Sequence, residues 1–105
     1  MNGFENREKG FERKYSVDQE NEFKVIARRN RLLGAWAAVQ MGLSGDAVDS
    51  YAKEVVVADF DEPGDADVVA KVLRDFSEKG IDIDEAAIRR KMEELAAVAR
   101  QQLAR

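Results

Sequence analysis

The strongest constraint on the fold is a long helical pattern that runs from about residue 18 to residue 41. Residues every three or four positions share one side of an α-helix, which turns about 100° per residue. The residues of this stripe are Phe23, Ile26, Ala27, Asn30, Leu33, Gly34, Ala37 and Met41. The opposite side becomes apolar as well through Leu32, Trp36 and Val39. A helix that is apolar all round is buried, so we expect its second half at the centre of the molecule.

Two residues of the stripe are unusual for a helix that faces a core. Gly34 lies in mid-helix, where glycine costs about 1 kcal/mol relative to alanine, and it is tolerable if a neighbouring helix approaches closely. Asn30 is polar. We expect its amide to be buried and hydrogen-bonded to a helix end or a turn, and the alternative is that it contacts a ligand.

Three shorter helices follow, each bounded by residues that start or stop helices. They are predicted at about residues 46–61, 66–79 and 85–103. Asp65 and Asp84 stand where N-caps are expected, and Lys79-Gly80 is typical of a helix end. Because the connections are only about four residues long, neighbouring helices should run antiparallel. The sequence therefore predicts an all-α protein with a compact four-helix bundle over residues 17–105.

Residues 1–16 differ from the rest, and we name them the amino-terminal segment. They carry seven charged residues and the aromatic residues Phe4, Phe11 and Tyr15. Gly3 and Gly10 weaken any helix there, and three aromatic side chains are too few to hold one alone. We expect this segment to be flexible in the free protein and able to fold on a partner. The plainer alternative is an ordinary charged terminus.

Composition excludes several classes of function. The chain has no Cys and no His, which rules out disulfides, metal sites built on Cys or His, and His-based nucleophile–base pairs. No apolar run reaches the roughly 18 residues of a membrane span, and no glycine-rich phosphate loop is present. The carboxylates of residues 59–67 do not fit a calcium loop and are better explained as helix caps. We therefore expect a cytoplasmic binding protein that is not an enzyme and needs no cofactor.

The net charge of −4 is unevenly distributed along the chain. Residues 1–31 hold eight Lys/Arg and six Asp/Glu, whereas the remainder holds nine Lys/Arg and fifteen Asp/Glu. Such an acidic body argues against non-specific binding to nucleic acid or to an anionic membrane.

One face of the long helix is nevertheless basic. Lys24, Arg28 and Arg31 share this face, and Arg29 lies beside it. The pattern favours a solvated face paired with acidic neighbours such as Glu20. The alternative is a contact with an acidic partner or with the phosphates of a nucleotide.

Five runs of the sequence carry a resemblance to a known family. The most specific is FKVIARRNRLLGAWAA at residues 23–38. The others are YAKEVV at 51–56, ADF at 58–60, DEAA at 84–87 and MEEL at 92–95. With its length and its charged, aromatic-bearing terminus, the chain resembles the ATPase inhibitor subunit zeta family of α-proteobacterial F-type ATP synthases. The resemblance covers most of the chain.

The resemblance implies a four-helix bundle whose mobile amino terminus inhibits ATP hydrolysis by the catalytic head of the synthase, with its alpha, beta and gamma subunits. The segment from about Asn2 to Asp18 would fold as a helix between a catalytic subunit pair and the central rotor and block rotation, with the bundle outside as an anchor. The residues in contact with the synthase would be Phe4, Arg7, Phe11, Arg13, Lys14 and Tyr15. The free protein would be a monomer, and it would be peripheral to the inner membrane through the synthase without inserting into it.

Two other functions remain open from the residues alone. The first is a small helical module that binds an adenine nucleotide, with weak binding of ATP or ADP. The second is a bundle that assembles with itself through a coiled-coil-like seam on the fourth helix. The residues of that seam are Ile88, Met92, Leu95, Ala99 and Leu103.

Overall fold

The computed structural model describes residues 22–61 and 64–104, and it contains four α-helices there. The described part of α1 covers residues 22–40. It is followed by α2 (Asp46–Asp61), α3 (Asp65–Glu78) and α4 (Glu85–Leu103). No strand occurs within the described ranges, and no helix there is long and apolar enough to span a membrane. The all-α, four-helix prediction is confirmed.

Glycines end the helices where the sequence indicates. After α1, the N–H of Leu43 donates to the carbonyl of Ala38 at 2.9 Å, and Gly42 has a positive φ of 82°. After α3, the N–H of Ile81 donates to the carbonyl of Phe76 at 2.8 Å, across Gly80 with a φ of 72°. Both bonds close a turn that needs a left-handed residue, for which glycine carries no steric penalty.

The two predicted N-caps have different outcomes. Asp84 caps α4 as expected, since its Oδ1 accepts a hydrogen bond from the N–H of Ala87 at 2.9 Å. The prediction for Asp65 is wrong. Asp65 is the first residue of α3, Gly64 precedes it, and no side chain caps the helix. The Asp65 carboxylate instead binds Arg29 of α1, so a contact between helices replaces the local cap.

The core is formed by side chains from all four helices. Its buried members are Leu33, Ala37 and Ala38 of α1, Tyr51 and Val55 of α2, Val68, Val69, Val72 and Phe76 of α3, and Ile88 and Met92 of α4. Burial of these apolar surfaces is the main force that holds the helices together. Because Ile88 and Met92 belong to this core, the seam of α4 packs largely against its own chain.

The second half of α1 lies at the centre, as predicted. A Cβ atom added at Gly34 would lie 2.6 Å from the Cα atom of Ala52. The backbones of α1 and α2 therefore approach each other so closely at this point that only glycine fits. Trp36 packs edge-on against Phe76 of α3, with ring centroids 5.7 Å apart. The Nζ atom of Lys91 in α4 lies 5.6 Å from the centroid of the Trp36 ring. Three neighbouring helices therefore contact this half of α1.

Two members of the predicted apolar surface of α1 are not buried. Phe23 and Val39 are each 60% exposed, although Leu33 and Ala37 are fully buried. The apolar stripe therefore faces the core only from Asn30 onward. Val39 is exposed because three neighbours do not enclose the whole circumference of a helix.

Candidate partner-binding surface

The predicted contact residues fall into two groups, of which only one lies within the described part of the chain. The residues Phe4, Arg7, Phe11, Arg13, Lys14 and Tyr15 all lie outside the described residues, so their role remains a prediction. The basic residues Lys24, Arg28 and Arg31 belong to α1, and all three are exposed. Only this second group belongs to the described part of the chain.

The three basic residues line a shallow groove at the first described turns of α1. This basic groove has a volume of about 570 Å³. Its lining residues are Phe23, Lys24, Ala27, Arg28, Arg31, Val56 and Leu103. It therefore joins α1 to α2 and to the end of α4. The described lining contains three cations, several apolar side chains and no carboxylate.

None of these three cations forms an ion pair within residues 22–61 and 64–104. Glu22, the acidic residue nearest to Lys24 in the described part of α1, instead accepts a hydrogen bond from Arg100 of α4 at 3.3 Å. The predicted pairing with Glu20 lies outside the described residues. The exposed, basic character of this face is as predicted.

Arg29 does not belong to this face, although the sequence places it beside it. Arg29 is only 7% exposed. Its guanidinium donates to the Oδ1 atom of Asn30, at 2.9 Å through Nη2 and 3.2 Å through Nε, and to the Oδ1 atom of Asp65 at 2.9 Å. The signal that could have revealed this burial is the spacing of four residues between Val25, Arg29 and Leu33, all of which are buried. Arg29 therefore ties α1 to the first residue of α3.

Asn30 is buried as predicted, with 1% exposure, but the predicted partner is wrong. Its carbonyl oxygen is bound by the Arg29 side chain rather than directly by a helix end or a turn. Its Nδ2 atom is buried and has no hydrogen-bond partner in the described part of the chain. An unsatisfied buried donor costs about 1–3 kcal/mol, so the alternative of a ligand contact stays open at this atom.

Asn30 lines a cavity of about 270 Å³ next to the basic groove. The described lining of this cavity comprises Phe23, Ile26, Ala27, Asn30, Val56, Asp59, Gly64 and Asp65. Phe23, Ala27 and Val56 line both the cavity and the groove. The two concavities therefore share part of their lining. The cavity carries apolar side chains, the Asn30 amide and the carboxylates of Asp59 and Asp65, whereas the groove is basic.

A second polar cluster lies between α2 and α3. The hydroxyl of Tyr51 donates to the Oδ2 atom of Asp75 at 2.7 Å, and the same oxygen accepts from Lys71 at 3.1 Å. Burial, and then the hydrogen bond to Asp75, raise the pKa of Tyr51 far above its usual value. The phenol therefore stays protonated and acts as a donor that ties α2 to α3.

Comparison with known proteins agrees with this architecture. A solved structure, a solution NMR structure of a protein that is 51% identical to this chain, matches with a TM-score of 0.70. The match covers 79% of this chain and 94% of the other chain. A search of curated proteins gives no match.

A family model extends the comparison to almost the whole chain. The model of the ATPase inhibitor subunit zeta matches residues 1–102. The matched range includes the amino-terminal segment, α2, α3, the described part of α1 and α4 up to residue 102, and every residue that lines the basic groove except Leu103. The chain therefore belongs to the ATPase inhibitor subunit zeta family, whose name implies a regulatory protein that acts on an F-type ATP synthase.

Proposed function

We propose that this protein inhibits ATP hydrolysis by the F-type ATP synthase through its amino-terminal segment. The segment folds as a helix in the cleft between a catalytic alpha–beta pair and the gamma subunit of the rotor, and it blocks rotation in the direction of hydrolysis. The observation that carries the proposal is the family match, which begins at residue 1 and so includes this segment.

The chemistry of the segment supports this role. Phe4, Phe11 and Tyr15 provide apolar anchors, and aromatic side chains dominate the binding energy of protein interfaces. The basic residues Arg7, Arg13 and Lys14 can pair with acidic residues of a cleft. Because Gly10 lowers intrinsic helicity, the segment gains its order from the partner, and the ordering entropy reduces the net affinity.

The bundle supports the same role as a rigid holder. Only residues 17–21 separate the segment from the described part of α1, and they span at most about 20 Å when extended. A four-helix bundle is wider than a single helix, so it cannot enter a cleft that admits one helix unless it unfolds. The bundle therefore anchors the segment outside the catalytic head.

The test is an ATP hydrolysis assay on the cognate synthase with the full chain. We expect the wild type to inhibit, and the variant Phe4→Ala/Phe11→Ala/Tyr15→Ala to need at least about tenfold more protein, since each aromatic hot spot is worth 2 kcal/mol or more. Val57→Ala removes an apolar group that is 53% exposed on α2 and serves as the control. Undiminished inhibition by the triple variant excludes the segment as the effector, and no inhibition by the wild type excludes the whole proposal.

A second candidate, weak binding of an adenine nucleotide, is favoured by one observation. The Nδ2 atom of Asn30 has no hydrogen-bond partner among the described residues, and Asn30 lines the cavity next to the basic groove. A ring nitrogen of adenine can accept from this amide, the apolar lining can hold the base, and Lys24, Arg28 and Arg31 can meet the phosphates. Titration with ADP should then shift the side-chain amide resonances of Asn30. Unchanged resonances at millimolar ADP would exclude this candidate.

A further inference from the structure

We infer that the basic groove is a docking surface for an acidic, amphipathic segment of the partner protein. In the setting of the proposed function, on which this inference rests, that segment belongs to the catalytic head of the synthase. It lies outside the cleft that receives the amino-terminal segment. The bundle thus contributes its own contact, separate from the inserted helix.

The positive charge of the groove indicates that the contacting residues of the partner are acidic. Lys24, Arg28 and Arg31 lie on one face along about 10 Å of helix, and none of them has an ion pair among the described residues. Like charges at i,i+3 and i,i+4 spacing destabilise a helix. Within the described part of the chain, these three cations therefore repel one another without a compensating ion pair. Carboxylates of a bound partner would relieve that repulsion, and because the chain as a whole is acidic, the groove is a local positive site.

The apolar lining of the groove indicates that the partner segment also carries apolar residues. Phe23 is 60% exposed and Leu103 is 38% exposed, and both line the groove together with the cations. Phosphates of a nucleotide would satisfy the cations, and a base in the adjoining cavity would cover Phe23, but Leu103 does not line that cavity and would stay in water. A protein segment with acidic residues on one side and apolar residues on the other covers both. Such a segment is the occupant that the groove fits best.

The position of the groove fits a contact at the rim of the insertion site. Lys24 lies eight residues beyond the end of the amino-terminal segment, which is at most about 30 Å of extended chain. A protein that holds the segment therefore presents surface within reach of the groove. Two linked contacts reinforce each other, because binding of the first raises the effective concentration of the second.

Zero-length cross-linking with a carbodiimide tests the inference directly, because this reagent joins an amine to a carboxylate in contact with it. The full chain is bound to the cognate catalytic head, treated, and analysed by peptide mass spectrometry. We expect an amide between the Nζ atom of Lys24 and an Asp or Glu of the head. Lys24→Arg keeps the charge but has no amine that the reagent can couple, so this variant should lose the cross-link.

Other occupants give other products. A cross-link from Lys24 to the protein's own amino-terminal segment, or to a second copy of the chain, would overturn the inference. So would the absence of any Lys24 cross-link in a complex that inhibits ATP hydrolysis. Exposed Lys53 on α2 lies outside the groove and serves as the internal reference for random collisions with the head.

Charge reversal provides an independent measurement on the full chain. Arg28→Glu/Arg31→Glu reverses two cations of the groove, and Lys53→Glu/Arg90→Glu reverses two exposed cations elsewhere, with the same change in net charge. At low salt the groove variant should need about tenfold more protein for half-maximal inhibition, whereas the control should match the wild type. The difference should shrink as salt shortens the Debye length to about 8 Å at physiological ionic strength.

The two proposals fail in different ways in this assay. If the wild type does not inhibit, the proposed function fails. If the wild type inhibits and the two charge-reversed variants inhibit equally well, only the docking surface fails. Circular dichroism of each variant shows whether the fold is intact, and the four substituted residues are exposed, so we expect it to be.

Discussion

The two halves of α1 follow one sequence pattern and serve two different purposes. In the second half, Leu33 and Ala37 are fully buried, and Gly34 contacts the backbone of α2. In the first half, Phe23 occupies the same stripe and is 60% exposed. Its neighbours are the cations of the basic groove, which form no ion pair with other described residues. The inner half therefore stabilises the bundle, and the outer half presents a surface.

The boundary between the halves is formed by Arg29 and Asn30. Their side chains are hydrogen-bonded to each other, and Arg29 also binds Asp65 of α3. Beyond this pair, towards the amino terminus, the stripe no longer faces the core. Apolar periodicity therefore identifies a face that is suited to burial. It does not identify what buries that face, which can be the same chain or a partner.

The largest effect is expected for Phe76→Ala, on the ring against which the inner half packs. Phe76 is fully buried and contacts Trp36 edge-on. Its truncation should lower the free energy of unfolding by about 3–5 kcal/mol, because transfer and cavity costs add. Urea denaturation followed by circular dichroism measures it. A loss below about 1 kcal/mol would mean that the inner half is not the centre of the core.

A smaller loss is expected for Gly34→Ala. In an exposed helix this substitution would stabilise by about 1 kcal/mol. Here the new Cβ atom would lie 2.6 Å from the Cα atom of Ala52, and a backbone atom cannot rotate away. The helices must separate, so we expect a net destabilisation of about 1–3 kcal/mol. Urea denaturation measures this change in the free energy of unfolding. A gain in stability would contradict the close approach of α1 and α2 at Gly34.

Arg29→Met tests the boundary and should cost about 1–3 kcal/mol, mainly because the buried carbonyl of Asn30 loses its donors. The Asp65 carboxylate adds little, since its side chain is 57% exposed and remains hydrated. The double variant Arg29→Met/Asn30→Leu removes both partners and should recover part of this loss. Equal stability of Arg29→Met and the wild type would show that the pair has no structural role.

Local rules predicted much of the fold correctly. The bounds of α2 match the prediction, and Asp84 caps α4. The close approach of another helix at Gly34 was also predicted from the sequence, because glycine in the middle of a helix is unfavourable unless a neighbour needs the space. Caps, glycine stops and periodicity act over a few residues, which is why one sequence is sufficient to predict them.

Contacts between distant residues could not be predicted in the same way. Asp65 has the residue type of an N-cap, but its carboxylate binds Arg29, which is 36 residues away in the chain. The candidate site shows the same division. The basic half of the groove was predicted from the spacing on α1, whereas Val56 and Leu103 come from α2 and α4. No pattern within α1 indicates that those two residues lie beside it.

The smallest effect on stability is expected for Phe23→Ala, which tests directly whether the outer half of α1 presents a surface. Because the ring is 60% exposed, its loss should change the free energy of unfolding by no more than about 0.5–1 kcal/mol. Val39→Ala is the matched control, since Val39 is equally exposed on the same helix but lies outside the groove. Both variants should unfold in urea like the wild type, but only Phe23→Ala should weaken inhibition of ATP hydrolysis.

Two results would contradict this prediction. If Phe23→Ala destabilises the protein as strongly as a core truncation, the outer half of α1 stabilises the bundle and does not serve as a separate binding surface. If both variants leave stability and inhibition unchanged, the outer half stays exposed in the complex, and the apolar part of the docking surface must lie elsewhere.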